Sequence, residues 1–181
     1  MTKVKLCGLR YPEDIQEANR LRPEYIGFVF AKKSRRFVSR EQAENLKKML
    51  DPSITAVGVF VDETPETVAE LLNAGGIDTA QLHGKEDESY IRKLRELTDK
   101  PVIKAVRVRD RSDEENAEKS SADLILFDAG AGDGRTFCWE ILDHVKRPYI
   151  LAGGLTPENA GCPHSAWMSA PGSRRMEKRI R

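Results

Sequence analysis

Nothing in the 181-residue sequence offers a membrane helix. Its longest apolar run, Tyr25–Ala31, is far short of the roughly 20 residues a bilayer span needs. The chain runs straight into Lys3–Cys7 without the charged-then-apolar pattern of a leader peptide. Cysteine is scarce: Cys7, Cys138 and Cys162 are far apart and odd in number, which argues against a disulfide framework. A reducing, cytoplasmic setting is expected. The three histidines have no zinc-ligand spacing, so no metal is expected. Nucleotide loops are missing too. There is no Walker-type phosphate loop, and the glycine-rich stretch Gly130–Arg135 has Arg135 where a dinucleotide fingerprint needs its third glycine. Nor is there a charge excess: 30 basic against 29 acidic residues give a net +1, and no nucleic-acid partner is expected. The one local bias is at the end, where residues 163–181 carry +4 and leave −3 on the rest.

What the chain does have is repetition. Short apolar runs rich in Val, Ile and Phe recur at Val4–Cys7, Tyr25–Phe30, Ala56–Val61, Thr79–Leu82, Val102–Val106, Leu124–Phe127 and Tyr149–Ala152. Most are continuous rather than alternating, as in parallel strands buried on both faces. Helical patterns with start signals lie between them. Pro12 opens Pro12–Leu21, and Ser39 with Gln42 forms a capping box ahead of Ala43–Leu50. Thr64-Pro65 opens Glu66–Asn73, Gly84–Glu86 precedes Ser89–Leu97, and Asp113 precedes a polar helix to Lys119. Thr156-Pro157 reads as one more start. Strict βα alternation at roughly 25 residues per unit indicates a parallel α/β fold. An eight-unit (β/α)-barrel is favoured over a doubly wound sheet, because the fingerprint of the latter is missing. Seven strands are legible, not eight. After Asn159 two prolines and no apolar periodicity predict disorder. The expected organisation is a barrel domain over residues 1–160 lacking its final unit, and a basic tail over 161–181.

In such a barrel the chemistry sits at the C-terminal ends of the strands. That selects Cys7, Phe30 with its following loop, His83, Asp128 and Gly153-Gly154. Each has a plainer reading. A strand-end cysteine is commonly inert core, His83 could be a satisfied structural histidine, and Arg35-Arg36 lie in a stretch that is usually a solvated loop. Asp128 stands out because an unpartnered carboxylate ending a buried run is costly. Gly153-Gly154 before a helix start suits a phosphate, or a simple tight turn.

The order of these features carries more than each alone. Lys5–Arg10 (KLCGLR), Gly27–Ser39 (GFVFAKKSRRFVS), Val57–Glu63 (VGVFVDE), Gln81–Glu86 (QLHGKE), Leu126–Trp139 (LFDAGAGDGRTFCW) and Leu151–Ala160 (LAGGLTPENA) resemble, in sequence, the motifs of the phosphoribosylanthranilate isomerases of tryptophan biosynthesis. The resemblance covers about residues 3–160. It implies a (β/α)8 barrel catalysing an Amadori rearrangement of a phosphosugar, as monomer or homodimer, with no metal or organic cofactor. It also implies roles: Asp128 as general acid holding its proton near neutrality, and Cys7 as general base, a ready thiolate beside positive charge. Arg36 would pair with the anthranilate carboxylate, His83 would line the site, and Gly153 and Gly154 would hold phosphate. Other phosphate-binding barrels, such as an epimerase or indole-glycerol-phosphate synthase, would need a partner histidine for His83 or a catalytic strand-end lysine. Lys104 is the strand lysine in a suggestive place.

The sequence departs from the family in two places. Cys138 replaces a common aspartate. More seriously, the family's eighth strand, Val-Asp-Val-Ser-Ser-Gly-Val-Glu, is not spelled out, so the last strand and helix are expected to be missing and the chain weakened or inactive. The codons of Trp167-Met168 are fixed. Read one base earlier, and continued through Ser169–Arg174 with permitted codons, they spell that motif. The tail thus reads as an out-of-frame version of the family's C-terminus.

Overall fold

The computed structural model describes residues 3–128, 142, 145–153 and 167–171. The order is β1 (Lys3–Cys7), α1 (Pro12–Leu21), β2 (Tyr25–Val29), α2 (Arg40–Met49), β3 (Thr55–Phe60), α3 (Pro65–Asn73), β4 (Thr79–Leu82) and α4 (Glu88–Leu97). Then come β5 (Val102–Arg107), α5 (Arg111–Glu118), β6 (Leu124–Asp128), β7 (Tyr149–Ala152) and β8 (Trp167–Pro171). All strands pair in parallel and in sequence order, and β8 returns to β1, so the sheet is a closed barrel.

The seven expected strands are all present. The eighth corrects the sequence reading, which placed a gap there; within the tail expected to be disordered over 161–181, it occupies Trp167–Pro171. Trp167–Pro171 pairs with β1 along five residues and with β7 at Leu151↔Met168 and Ala152↔Ser169. The physical reason is that strand pairing is made by the backbone. The facing edges of β1 and β7 carry rows of N–H and C=O groups that need partners whatever the side chains are. Pro171, which has no N–H to give to a ladder, is the last residue of the strand. The rest of the tail, with the helix start at Thr156-Pro157, Cys138 and Cys162, lies outside the described residues. Among the described residues the helical ring has five members, none after β6.

Strand alternation divides the apolar residues into two layers. One face of each strand meets the helices: Leu6, Ile26, Phe28, Ala56, Leu82, Val102, Ile125 and Phe127 pack with Ile15 of α1, Leu46 of α2, Leu72 of α3 and Ile91 and Leu94 of α4. Each fully buried aliphatic or aromatic side chain there contributes roughly 1.5–3 kcal/mol. The other face fills the barrel with Val57, Ile103, Ala105, Leu126, Ile150 and Ala152.

Local chemistry sets the helix starts. Ser39 Oγ accepts from Gln42 N–H, as expected, but Gln42 does not complete the box; its side-chain amide donates to the Arg10 carbonyl at 2.7 Å and ties α2 to the loop after β1. Thr64 caps α3. Asp87 caps α4 through Tyr90 N–H, so the helix begins at Glu88, one residue before the expected Ser89. Asp110 caps α5, earlier than the expected Asp113. Asp113 instead takes the Arg109 guanidinium.

Candidate active site

The C-terminal ends of the strands bring the chemical groups together. β1 ends at Cys7, β6 ends at Asp128, and His83 directly follows β4, with its N–H on the Phe60 carbonyl at 2.8 Å. That bond keeps His83 in register with β3. Period-two alternation from the interior residue Gln81 turns its imidazole toward the barrel axis. There His83 Nε2 meets Asp128 Oδ2 at 3.2 Å, with the side chains 35% and 20% exposed: shielded, yet open to a small molecule. Cys7 is half-buried. Gly27 on the adjacent strand makes room for it, since a Cβ there would lie 2.7 Å from Cys7 Sγ.

Arg36 reaches the same mouth from the β2–α2 loop. Its methylene stem lies across Gly8, where an added Cβ would come within 2.3 Å of Cδ. Gly8 also has φ +88°, so only glycine suits this position on both counts. The guanidinium is thus held above the residue that follows Cys7, while Arg36 itself stays exposed. Gly153, with φ +86°, follows β7 at the same end of the barrel. Gly154 lies outside the described residues.

Two expected candidates fall elsewhere. The Phe30 ring stacks on Phe60, with centroids 5.0 Å apart, in the layer facing the helices. Lys104 shares the outward parity of Val102 and Val106; its ammonium is held by the Gly84 carbonyl at 2.9 Å and Glu86 Oε2 at 3.1 Å. It braces a loop rather than serving the mouth. Glu86, buried, also accepts from Asp62 N–H and Gly84 N–H, so it pins the loops after β3 and β4 and, through them, His83.

Two site residues were missed by sequence reasoning. Lys5, only 1% exposed, and Gln81, 2% exposed, point into the barrel one residue pair below Cys7 and His83. Lys5 Nζ donates to Gln81 Oε1 at 2.6 Å and lies 3.6 Å from Cys7 Sγ; Gln81 Nε2 lies 2.7 Å from His83 Nδ1. The available signal was the spacing, since each stands two residues before a strand-end candidate and therefore on the same face.

Among the described residues no three or more His, Cys, Asp or Glu side chains are grouped to hold a metal, and no helix is long and apolar enough to cross a membrane. The site offers instead a thiol, a carboxyl in contact with an imidazole, and a guanidinium: groups for moving protons on an anionic substrate.

Comparison with known proteins gives the same picture. The family model for N-(5′-phosphoribosyl)anthranilate (PRA) isomerase matches residues 4–163. An N-(5′-phosphoribosyl)anthranilate isomerase of Clostridium kluyveri is 47% identical over 162 residues, covering 88% of this chain and 79% of the relative. The crystal structure of phosphoribosyl anthranilate isomerase from Thermus thermophilus superposes with a TM-score of 0.83 at 31% identity, over 94% of this chain and 87% of the other. A phosphoribosyl anthranilate isomerase in complex with reduced 1-(o-carboxyphenylamino)-1-deoxyribulose 5-phosphate matches at 33% identity and a TM-score of 0.80, again over 94% and 87%. A closed parallel barrel with Cys7, His83 and Asp128 at one mouth, matched along most of its length by these proteins, belongs to the N-(5′-phosphoribosyl)anthranilate isomerase family.

Proposed function

We propose that this chain converts N-(5′-phosphoribosyl)anthranilate to 1-(2-carboxyphenylamino)-1-deoxyribulose 5-phosphate, with Asp128 as general acid and Cys7 as general base. The observation that carries the assignment is the placement of Cys7, His83 and Asp128 at the C-terminal mouth, where a thiol and a carboxyl that touches an imidazole stand at the ends of their strands.

The steps balance as an isomerisation. Asp128 gives its proton to the ring oxygen, the C1′–oxygen bond breaks, and the nitrogen lone pair forms an iminium at C1′. Cys7, as thiolate, removes the C2′ proton, and those electrons neutralise the iminium to give an enolamine. The enol O–H proton passes to the Asp128 carboxylate and the Cys7 thiol gives its proton to C1′, which yields the ketone and returns both residues to their starting states. C1′ is reduced and C2′ oxidised within one molecule, so no external redox partner is consumed. General acid–base groups of this kind each contribute about 100- to 10,000-fold.

Arg36, held over Gly8, supplies a planar fork for the anthranilate carboxylate. Gly153, in a left-handed conformation directly after β7, stands at the end of the barrel where the phosphate would lie. An inactive, broken barrel has less ground once β8 closes the ring between β7 and β1. Cytoplasmic operation as a monomer or homodimer fits a small-molecule substrate.

The test is turnover of N-(5′-phosphoribosyl)anthranilate by the purified 181-residue chain, read as loss of substrate fluorescence, with the product identified by mass spectrometry. Conversion to the deoxyribulose phosphate is expected. Folded protein that leaves the substrate unchanged would overturn the proposal.

A further inference from the structure

Lys5, Gln81 and His83 form a chain of contacts from the sulfur of Cys7 to the carboxyl of Asp128, and its direction is set at one end. An ammonium has protons to give and no lone pair to accept with. The contact at 2.6 Å therefore requires that Gln81 present its oxygen to Lys5. The amide nitrogen then faces His83 Nδ1 at 2.7 Å, and since that nitrogen only donates, Nδ1 must accept. An imidazole that accepts at Nδ1 carries its proton on Nε2. Nε2–H points at Asp128 Oδ2, 3.2 Å away.

We propose that Lys5 and Gln81 are positioning residues that hold His83 as the neutral Nε2–H tautomer and thereby orient the acid Asp128. The assignment of Asp128 and Cys7 as acid and base rests on the isomerase reading; the tautomer does not.

The consequence for catalysis is specific. Nε2–H donates to Asp128 Oδ2 whether the carboxyl is protonated or ionised, so the same bond serves before and after the proton leaves. With Nε2–H on Oδ2, the imidazole has no lone pair facing the carboxyl with which to compete for a proton carried by Asp128. With the opposite tautomer, a bare Nε2 lone pair would face the carboxyl and draw its proton away from the substrate. With an imidazolium, Nδ1–H would abut the amide N–H of Gln81. At the far end, among the described residues, Lys5 Nζ meets a neutral amide and the Cys7 sulfur. An ammonium beside a sulfur is the placement that favours reaction of a thiol as its anion.

The decisive reading is the imidazole nitrogen spectrum of the full chain labelled with 15N-histidine, with His83 assigned by the loss of its signals in His83→Gln. In the wild type, Nε2 should resonate as a protonated nitrogen and Nδ1 as an unprotonated one at neutral pH. Gln81→Glu keeps the shape and places an acceptor against Nδ1. Protonation should move to Nδ1, and kcat should fall about 100-fold with KM little changed, the low end of general acid–base contributions. Lys5→Met should leave mixed tautomers and slow alkylation of Cys7 by iodoacetamide, followed by peptide mass spectrometry. A wild-type His83 protonated on Nδ1, or a Gln81→Glu spectrum unchanged from the wild type, overturns the proposal. The wild-type spectrum decides even if a variant fails to fold. A correct tautomer in a chain without turnover would discredit the isomerase reading and leave this one standing.

Discussion

Gly27 shows how closely the residues of the mouth are fitted. An alanine at this position would put its Cβ 2.7 Å from Cys7 Sγ, inside van der Waals contact, so the sulfur would have to move by about 1 Å. Misplacement on that scale costs about 100-fold in rate. Gly27→Ala is therefore expected to lower kcat by that order while the chain remains folded, as checked by circular dichroism alongside the assay. The residues at strand ends were legible in the sequence, because a cysteine, a histidine and an aspartate each closed an apolar run. Lys5 and Gln81 were not, because a lysine and a glutamine inside short strands read as solvent-facing. Their depth follows from the barrel, whose interior at that level is lined with polar groups that satisfy one another.

At the scale of elements, the alternation of apolar runs located the first seven strands, while the helix starts were legible only in part. Ser39 and Thr64 cap as their positions suggest, but Gln42 answers to the Arg10 carbonyl and Asp113 to Arg109, partners that sequence spacing does not single out. The buried Glu86–Lys104 pair belongs to the same category. The Glu86 side chain is 1% exposed and holds two backbone N–H groups besides the ammonium. Glu86→Ala strands all three and should cost about 3–5 kcal/mol, the range for breaking a buried pair from one side. Urea denaturation measures it, and a loss near that of an exposed ion pair would show the loops to be held otherwise. Asp113 gives a prediction in pH. The hydrogen-bonded Arg109 guanidinium, against a smaller opposing effect of burial, holds its carboxyl below the usual aspartate range. A lowered folded-state value means stability that is present above the unfolded-state value and lost as pH falls through the folded one. Asp113→Asn should lower the urea midpoint at pH 7, and the difference should vanish in strong acid.

Across the whole molecule, the closed ring is what the sequence concealed. Trp, Met, Ser, Ala and Pro at 167–171 give no apolar periodicity, and β8 is defined by its backbone pairing with β1 and β7. It lies within the stretch where permitted codons, read in a shifted frame, can spell the family's own eighth strand, and resequencing the gene tests whether they do. A chain ending before Trp167 would leave the edges of β1 and β7 unpaired. Such edges recruit other chains, and the shortened protein should show a lower melting temperature and associate on size-exclusion chromatography. Full stability without β8 would mean that the strand contributes nothing to the barrel.

The most direct test of the isomerase assignment is a comparison of kcat for the wild type, Cys7→Ser and Asp128→Asn on N-(5′-phosphoribosyl)anthranilate. Equal folding would be verified by circular dichroism. The wild type should turn over, and each variant should lose at least about 100-fold in kcat. Wild-type activity that survives both substitutions would contradict the placement of the acid and base at this mouth.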